Sequence, residues 1–279
     1  MKFNRHDPEE IKRRLKAAAS YSKHSLGQHF LIDPVVLEAI VESAAVQPGE
    51  AVVEIGPGLG VLSEKLLETG ADVTAFELDP AMVKILAEDL PTLRVVAGDV
   101  LETLPGVVEG LGEYCVVANI PYQITTPLIR LLLESEMPKP SRLVLLVQQE
   151  VGQRLAAGAG ESDRSFLSVL TQYYAEVHYV RSVPAVAFWP APKVASAVVK
   201  LVVRPERNLS PDQERSFLRF VRTHFIQRRK QLRNVVAGIR GVSTQEVGEL
   251  FARLGFAPNV RAQELSEADW QILFESSKE

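Results

Sequence analysis

Apolar and polar positions along the chain change period several times, and the changes mark its elements. Residues 5–19 are mostly charged, with apolar side chains at helical intervals, and predict a surface helix. Asp33-Pro34 ahead of Val36, Leu37, Ile40 and Val41 predicts a second helix with its cap and first-turn proline in place. Short β-branched runs then take turns with helical patterns. Ala51–Ile55 predicts a buried strand, followed by glycines and a helix over Val61–Glu68. Asp72–Phe76 predicts a strand, followed by Asp79-Pro80 and a helix over Ala81–Asp89. Leu93–Val96, Tyr114–Ala118 and Leu143–Gln148 predict further strands, with a helix over Thr126–Glu134. Tyr173–Pro184 and Ser196–Val203 predict a closing pair. Such alternation builds an α/β fold, a doubly wound sheet of seven strands. Beyond Arg204-Pro205 the pattern is helical only, over Pro211–Ile226, Lys230–Val236, Thr244–Leu254 and Glu267–Glu275. Three parts are expected: a basic helical extension over 1–22, the sheet domain over 23–205, and a small all-helical domain over 206–279.

Composition removes several function classes. With 46% hydrophobic and 24% charged residues over 279 positions, the chain has ample material for a core. Its longest apolar runs fall far short of the ~20 residues that cross a membrane, so no membrane partner is expected. Cys115 stands alone, which fits a reducing, cytoplasmic compartment. The five histidines are dispersed and predict no metal site. The net charge of −4 argues weakly against nucleic acid, but its distribution argues the other way. Residues 215–240 hold eight basic residues and no acid, and residues 2–24 hold seven against three. On one continuous helix Arg215, Arg219, Arg222, Arg229, Arg233 and Arg240 would share an arc of about 80°. Phe217, Phe220, Val221, His224, Leu232 and Val235 would lie opposite, while a break near Gln227 would split the stripe. Arg222, Arg228, Arg229, Lys230 and Arg233 are therefore the expected phosphate contacts, with Lys193 and the N-terminal helix (Lys12, Arg13, Arg14, Lys16) as the further basic surface.

In an open parallel sheet, ligands bind beyond the carboxyl ends of the strands. The first such end reads Glu54-Ile55-Gly56-Pro57-Gly58-Leu59-Gly60. Three glycines let a ligand approach the backbone, but position 61 is Val, so the dinucleotide spacing fails. Pro57 also lacks an amide that a phosphate cradle would use. At the next strand end Glu77 is placed to accept from ribose hydroxyls, and Asp79 before Pro80 to cap a helix. Asp99, after the third strand, can accept from an adenine amine. An adenosine ligand without phosphates points to S-adenosylmethionine ahead of a nicotinamide cofactor. The fourth strand delivers Asn119-Ile120-Pro121-Tyr122. Asparagine is no base, yet its oxygen can hold an amine hydrogen and aim the nitrogen lone pair, so that rate comes from positioning. Pro121 fixes the turn and Tyr122 offers a stacking face for a flipped base.

With these motifs the chain resembles the ribosomal RNA adenine N6,N6-dimethyltransferases, in particular the bacterial small-subunit enzymes. The matching residues are Lys23–Leu31, Glu54–Gly60, Glu77–Asp79, Gly98-Asp99, Asn119–Tyr122, Phe188–Val194 with Ser196–Val198, Arg228–Leu232 and Arg261–Ser266. The resemblance implies that Gln28, His29 and Leu31 close over the cofactor and that Gly56 and Gly58 line its methionine part. Glu77 would hold the ribose, Asp99 the cofactor's adenine and Asn119 the target amine, with Phe188 stacking on the target opposite Tyr122. Position 29 departs from the family's common asparagine, but histidine keeps a donor and an acceptor. The implied partner is small-subunit ribosomal RNA in an immature subunit, met by a monomer. Two alternatives share these motifs: a large-subunit methyltransferase of the antibiotic-resistance type, and a non-catalytic assembly factor with a vestigial site.

Overall fold

A computed structural model describes residues 3–18, 28–228 and 230–277. The elements are α1 (Pro8–Ala17), β1 (Phe30–Leu31), α2 (Pro34–Ala44), β2 (Ala51–Ile55), α3 (Val61–Glu68), β3 (Asp72–Glu77), α4 (Pro80–Asp89), β4 (Arg94–Ala97), α5 (Val100–Val108), β5 (Tyr114–Asn119), α6 (Thr125–Glu134) and β6 (Arg142–Gln148). They continue with α7 (Gln149–Ala156), α8 (Phe166–Tyr174), β7 (Ala175–Val183), β8 (Phe188–Trp189), β9 (Ser196–Val203), α9 (Pro211–Phe225), α10 (Leu232–Arg240), α11 (Thr244–Leu254) and α12 (Glu267–Ser276).

Seven strands form one sheet in the order β4-β3-β2-β5-β6-β9-β7. β2 pairs parallel with both β3 and β5, so the strand order reverses at β2 and opens a crevice beyond its carboxyl end. β9 runs antiparallel to β6. Strands β5 and β6 are buried on both faces, which explains their unbroken apolar runs. Cys115 lies inside β5 with no exposure, a core residue. A second, two-stranded sheet was not legible: Phe30 pairs with Trp189 and Leu31 with Phe188, at the price of only two residues per strand, too short for any periodicity. Helices α5, α7 and α8 were also unread; Pro105 interrupts the pattern of the first.

The chain divides into two compact units. The first holds residues 1–152 and 176–203, the second residues 153–175 and 204–279. The expected boundary near 205 is thus accompanied by an excursion, because α8 joins the C-terminal helices. Within that second unit Arg164, 1% exposed, donates to the carbonyls of Ala157 (2.7 Å) and Leu265 (3.1 Å), and Tyr173 donates to the buried Glu214 (3.0 Å). The N-terminal helix is not a separate extension either. Ile11 and Leu15 of α1 are buried with Leu59, Met82 and Ile85 of the first unit. Arg14, expected on an RNA surface, is instead paired with Glu88 and Asp89, each at 2.8 Å.

The basic stripe takes the divided form. Helix α9 ends at Phe225 and α10 begins at Leu232, with the Leu232 amide donating to the Val260 carbonyl in between, so no single arc collects the arginines. The buried side is as expected: Phe217, Val221, His224, Leu232 and Val235 all face the core, with Trp270 packed beside Phe225.

Candidate active site

The turn between β2 and α3 is built from glycines because side chains would not fit. Gly58 has φ +56°, and a Cβ there would stand 3.2 Å from the Phe30 ring. Gly60 has φ +80°, and its Cβ would fall 2.7 Å from Leu90 and 2.9 Å from Leu86. The loop therefore lies against β1 and α4, with its glycine amides held by the Phe76 carbonyl (2.9 Å), Glu77 (3.1 Å) and the Pro57 carbonyl (2.8 Å).

Glu77 closes β3 beside it. Its Oε2 accepts from the Gly58 amide (3.1 Å) and its Oε1 from the Asp79 amide (2.8 Å). Burial pushes this carboxyl above the ordinary carboxylate range, and the two amides pull it back. Asp79 caps α4 through the Ala81 amide (3.1 Å) and also accepts from Gln28 Nε2 (3.0 Å), which pins Gln28 to the same rim. Asp99 caps α5 through the Leu101 amide (2.9 Å) with one oxygen, a second duty that the strand-end reading had not assigned.

At the end of β5, Asn119 donates from Nδ2 to the His29 carbonyl (3.3 Å), which leaves Oδ1 as its accepting edge. The Tyr122 hydroxyl bonds Ser196 of β9 (2.6 Å), joining two of the matching motifs. Burial raises the Tyr122 phenol, which stays neutral. The His29 ring stacks on Tyr122 at 6.2 Å and 25° between planes, and its Nδ1 lies 2.7 Å from the Pro190 carbonyl.

Gln28, His29, Leu31, Gly56, Gly58, Glu77, Asp99, Asn119, Pro121 and Tyr122 thus line one cleft. Phe188 does not. It is 3% exposed and packed in the core with Leu31 and Ala187. The reason is the short pairing of β1 with β8, which turns Phe188 inward. Lys193 is exposed, while Lys23–Gly27 and Arg229 lie outside the described residues.

Three lining residues had been missed as individuals. Glu54, 1% exposed, accepts from Ser63 Oγ at 2.5 Å, and burial with the neighbouring Glu77 charge pushes its carboxyl to about 8. It is therefore protonated at neutral pH. Its position inside an apolar strand was the available signal. Leu78 is 54% exposed beside Glu77, an apolar face with no partner in the sheet. Arg5, 4% exposed, donates to the Leu59 carbonyl (2.7 Å) and to Glu64 (3.0 Å), fastening the glycine loop from behind. In the sequence it is one charge in a basic run.

Among the described residues no group of three His, Cys, Asp or Glu is arranged to hold a metal, and no helix is long and apolar enough to cross a membrane.

Parallel order, crevice and converging strand ends define a methyltransferase-type sheet, and known proteins carry the same arrangement. A dimethyladenosine transferase from Plasmodium falciparum superposes with a TM-score of 0.72 at 26% identity, over 88% of this chain and 96% of that one. The 23S rRNA methyltransferase ErmE gives 0.70 at 26%, over 89% and 99%. A protein of Desulfitobacterium hafniense named ribosomal RNA small subunit methyltransferase A is 40% identical over 95% of both chains. Its namesake in Dehalococcoides mccartyi is 39% identical over 90% of this chain and 87% of that one. The family model described as ribosomal RNA adenine dimethylase matches residues 19–279. The chain belongs to the ribosomal RNA adenine dimethylase family.

Proposed function

We propose that this chain transfers methyl groups from S-adenosylmethionine to N6 of two adjacent adenines near the 3′ end of small-subunit ribosomal RNA. It would do so as a monomer in the cytoplasm, on an immature subunit. The observation that carries the reading is Asn119, held through Nδ2 at the end of β5 with its oxygen edge left to the cleft that Glu77 and Asp99 share.

The residues present fit the cofactor. The carboxylates of Glu77 and Asp99 favour a cationic ligand, and Glu77 keeps lone pairs for two vicinal hydroxyls. Leu78 offers an apolar face to an adenine, and Asp99 an acceptor to its amine. Gly56 and Gly58 line the same cleft, where the methionine part would lie. Bound there, S-adenosylmethionine supplies an electrophilic methyl carbon on sulfur. Asn119 Oδ1 then holds one hydrogen of the target amine, Pro121 fixes the turn that presents it, and Tyr122 covers the base. The small-subunit reading is favoured over the large-subunit one by the relatives' names at 39–40% identity, against 26% for ErmE. The intact set of Glu77, Asp99 and Asn119 favours an enzyme over a vestigial assembly factor.

Incubation of the protein with immature small subunits and labelled cofactor tests this. Mass spectrometry should find two adjacent dimethyladenosines in the small-subunit RNA. Methyl groups only on large-subunit RNA, or exhaustive reaction stopping at monomethyladenosine, would overturn it.

For RNA, the second unit offers Arg222, Arg228 and Lys230, exposed and without an ion pair among the described residues; Arg233 is half-buried and donates to Gln231 (3.1 Å). Their neutralisation of phosphates would release counterions. Replacing Arg222, Arg228 and Lys230 together by Gln should weaken subunit binding and flatten its log–log salt dependence by roughly 2–3, at ~0.7–0.9 per contact. Cofactor affinity should stay constant, since the cleft residues belong to the other unit. An unchanged salt slope would move the RNA surface to Lys193 and the exposed cations of α1.

A further inference from the structure

The solvent-facing side of α9 ends on a residue that solvent does not favour. At 100° per residue Arg219, Arg222 and Ile226 fall within an arc of about 60°. Ile226 keeps helical angles (φ −55°, ψ −34°), so the stripe runs on to it past the last residue of α9. Both arginines are exposed and without an ion pair among the described residues. Ile226 is 77% exposed, and among the described residues only Val186 leaves a large apolar side chain as open. Arg228 and Lys230 follow, both exposed, in a turn closed by the Lys230 amide on the Gln227 carbonyl (2.8 Å).

Folding gives no reason for an isoleucine there. His224 and Phe225 before it are buried, the latter against Trp270, so the core closes without it. A β-branched residue at an exposed helix end gains nothing in propensity over the glutamine that follows. Single exposed apolar residues are ordinary on a surface, but this one lies in a run, 215–240, that holds no acid. The preceding carboxylate, Glu214, is buried and engaged by Tyr173 and Arg207. Such a field selects a polyanion. An apolar residue among the cations selects a polyanion that also offers apolar surface at short range.

Double-helical RNA is such a polyanion. Its minor groove is wide and shallow and presents ribose and base edges between two phosphate strands. A side chain at a helix end can enter it while cations on the same helix meet the phosphates. A single strand would instead be met by aromatic side chains on which its bases stack, and Ile226 has no ring face. We propose that Ile226 packs into the minor groove of a double-helical segment of the bound RNA, with Arg219, Arg222, Arg228 and Lys230 on the flanking phosphates. This surface rests on the reading of the chain as an RNA methyltransferase proposed above. Ile226 then supplies a part of the affinity that releases no counterions and does not follow the salt concentration.

The test compares wild type with Ile226→Asn and, as control, Ile226→Leu, each checked by thermal melting; at 77% exposure neither substitution should disturb the fold. Binding is measured against salt on immature small subunits, on the same RNA stripped of protein, and on single-stranded polyuridylate. Ile226→Asn should weaken binding to the first two about tenfold, the lower end of what burying an isoleucine yields. Its log–log salt line should run parallel to that of wild type, unlike that of a variant lacking cations. Leucine should recover most of the loss, and polyuridylate should not distinguish the variants from wild type. Unchanged affinity on every probe would make Ile226 a solvated residue and overturn the proposal. A loss on subunits but not on stripped RNA would assign the residue to a ribosomal protein, and an equal loss on polyuridylate would assign it to single strands; either result overturns the proposal as well. A wild type that binds both forms of the RNA yet methylates no adenine would fail the proposed function and leave this surface standing, so the two failures are distinct.

Discussion

Asn119→Ala should abolish most methyl transfer while leaving the cofactor site nearly intact. The asparagine is held by one hydrogen bond, from Nδ2 to the His29 carbonyl at 3.3 Å, so its loss frees no charge and opens only a small space at the end of β5. What disappears is the oxygen that holds the target amine while its lone pair turns toward the methyl carbon. An interaction that matters in the transition state appears in kcat rather than in ground-state binding. Removing one preorganised group of this kind typically costs ~10²–10³ in rate, and that is the expected fall in single-turnover methylation at saturating cofactor. Calorimetry should find cofactor affinity within a few-fold of wild type. Asn119→Asp is the sharper control. It keeps an oxygen but sets a carboxylate against the His29 carbonyl where an amide had donated, so it should recover little of the rate. Near-normal turnover by Asn119→Ala would remove the residue from the reaction.

What could be read in advance follows from how far each feature reaches along the chain. Strands β2, β3, β5 and β6 and their carboxyl-end residues were legible because a buried parallel strand writes itself as an apolar run and its end as a break. Glu77, Asp79 and Asn119 were found in this way, and Asp79 does cap α4 as expected. Features made by pairing distant segments were not legible. Nothing local to Phe188 tells that Leu31 will lie opposite it and turn it into the core. Nothing local to Arg5 tells that its guanidinium will close on the Leu59 carbonyl. The divided stripe shows the same limit from the other side. An acid-free run fits one helix on paper, but the isolated bridge between Gln231 and Arg261 gives the chain a tertiary reason to leave the helix before α10. His29 is the most instructive. The resemblance placed it in the cofactor site, and only the structure sets its Nδ1 against the Pro190 carbonyl and its ring against Tyr122.

Glu77→Ala should weaken cofactor binding by at least a hundredfold, the largest effect expected on affinity. Two vicinal hydroxyls donating to a carboxylate make charge-assisted hydrogen bonds, each worth roughly 1.5–3 kcal/mol. Two of them reach about 3 kcal/mol at the low end, and a hundredfold needs ~2.8. The alanine also strands the Gly58 and Asp79 amides, which Glu77 holds at 3.1 and 2.8 Å, so the glycine loop loses its anchor. Glu77→Gln should not rescue, because both oxygens face N–H donors and an amide would set donor against donor at one of them. The pH dependence separates this role from a structural one. Burial raises the Glu77 carboxyl above its ordinary range, and the bound state needs it ionised. Cofactor affinity of the wild type should therefore fall as pH is lowered through that raised titration. Glu54, titrating near 8, is already protonated there and adds nothing to the slope. In Glu77→Ala the residual affinity should be flat over the same acid window. Calorimetric titrations across that window decide: a folded alanine variant that binds as tightly as wild type, or that keeps the wild-type pH slope, would mean that the ribose is held elsewhere in the cleft.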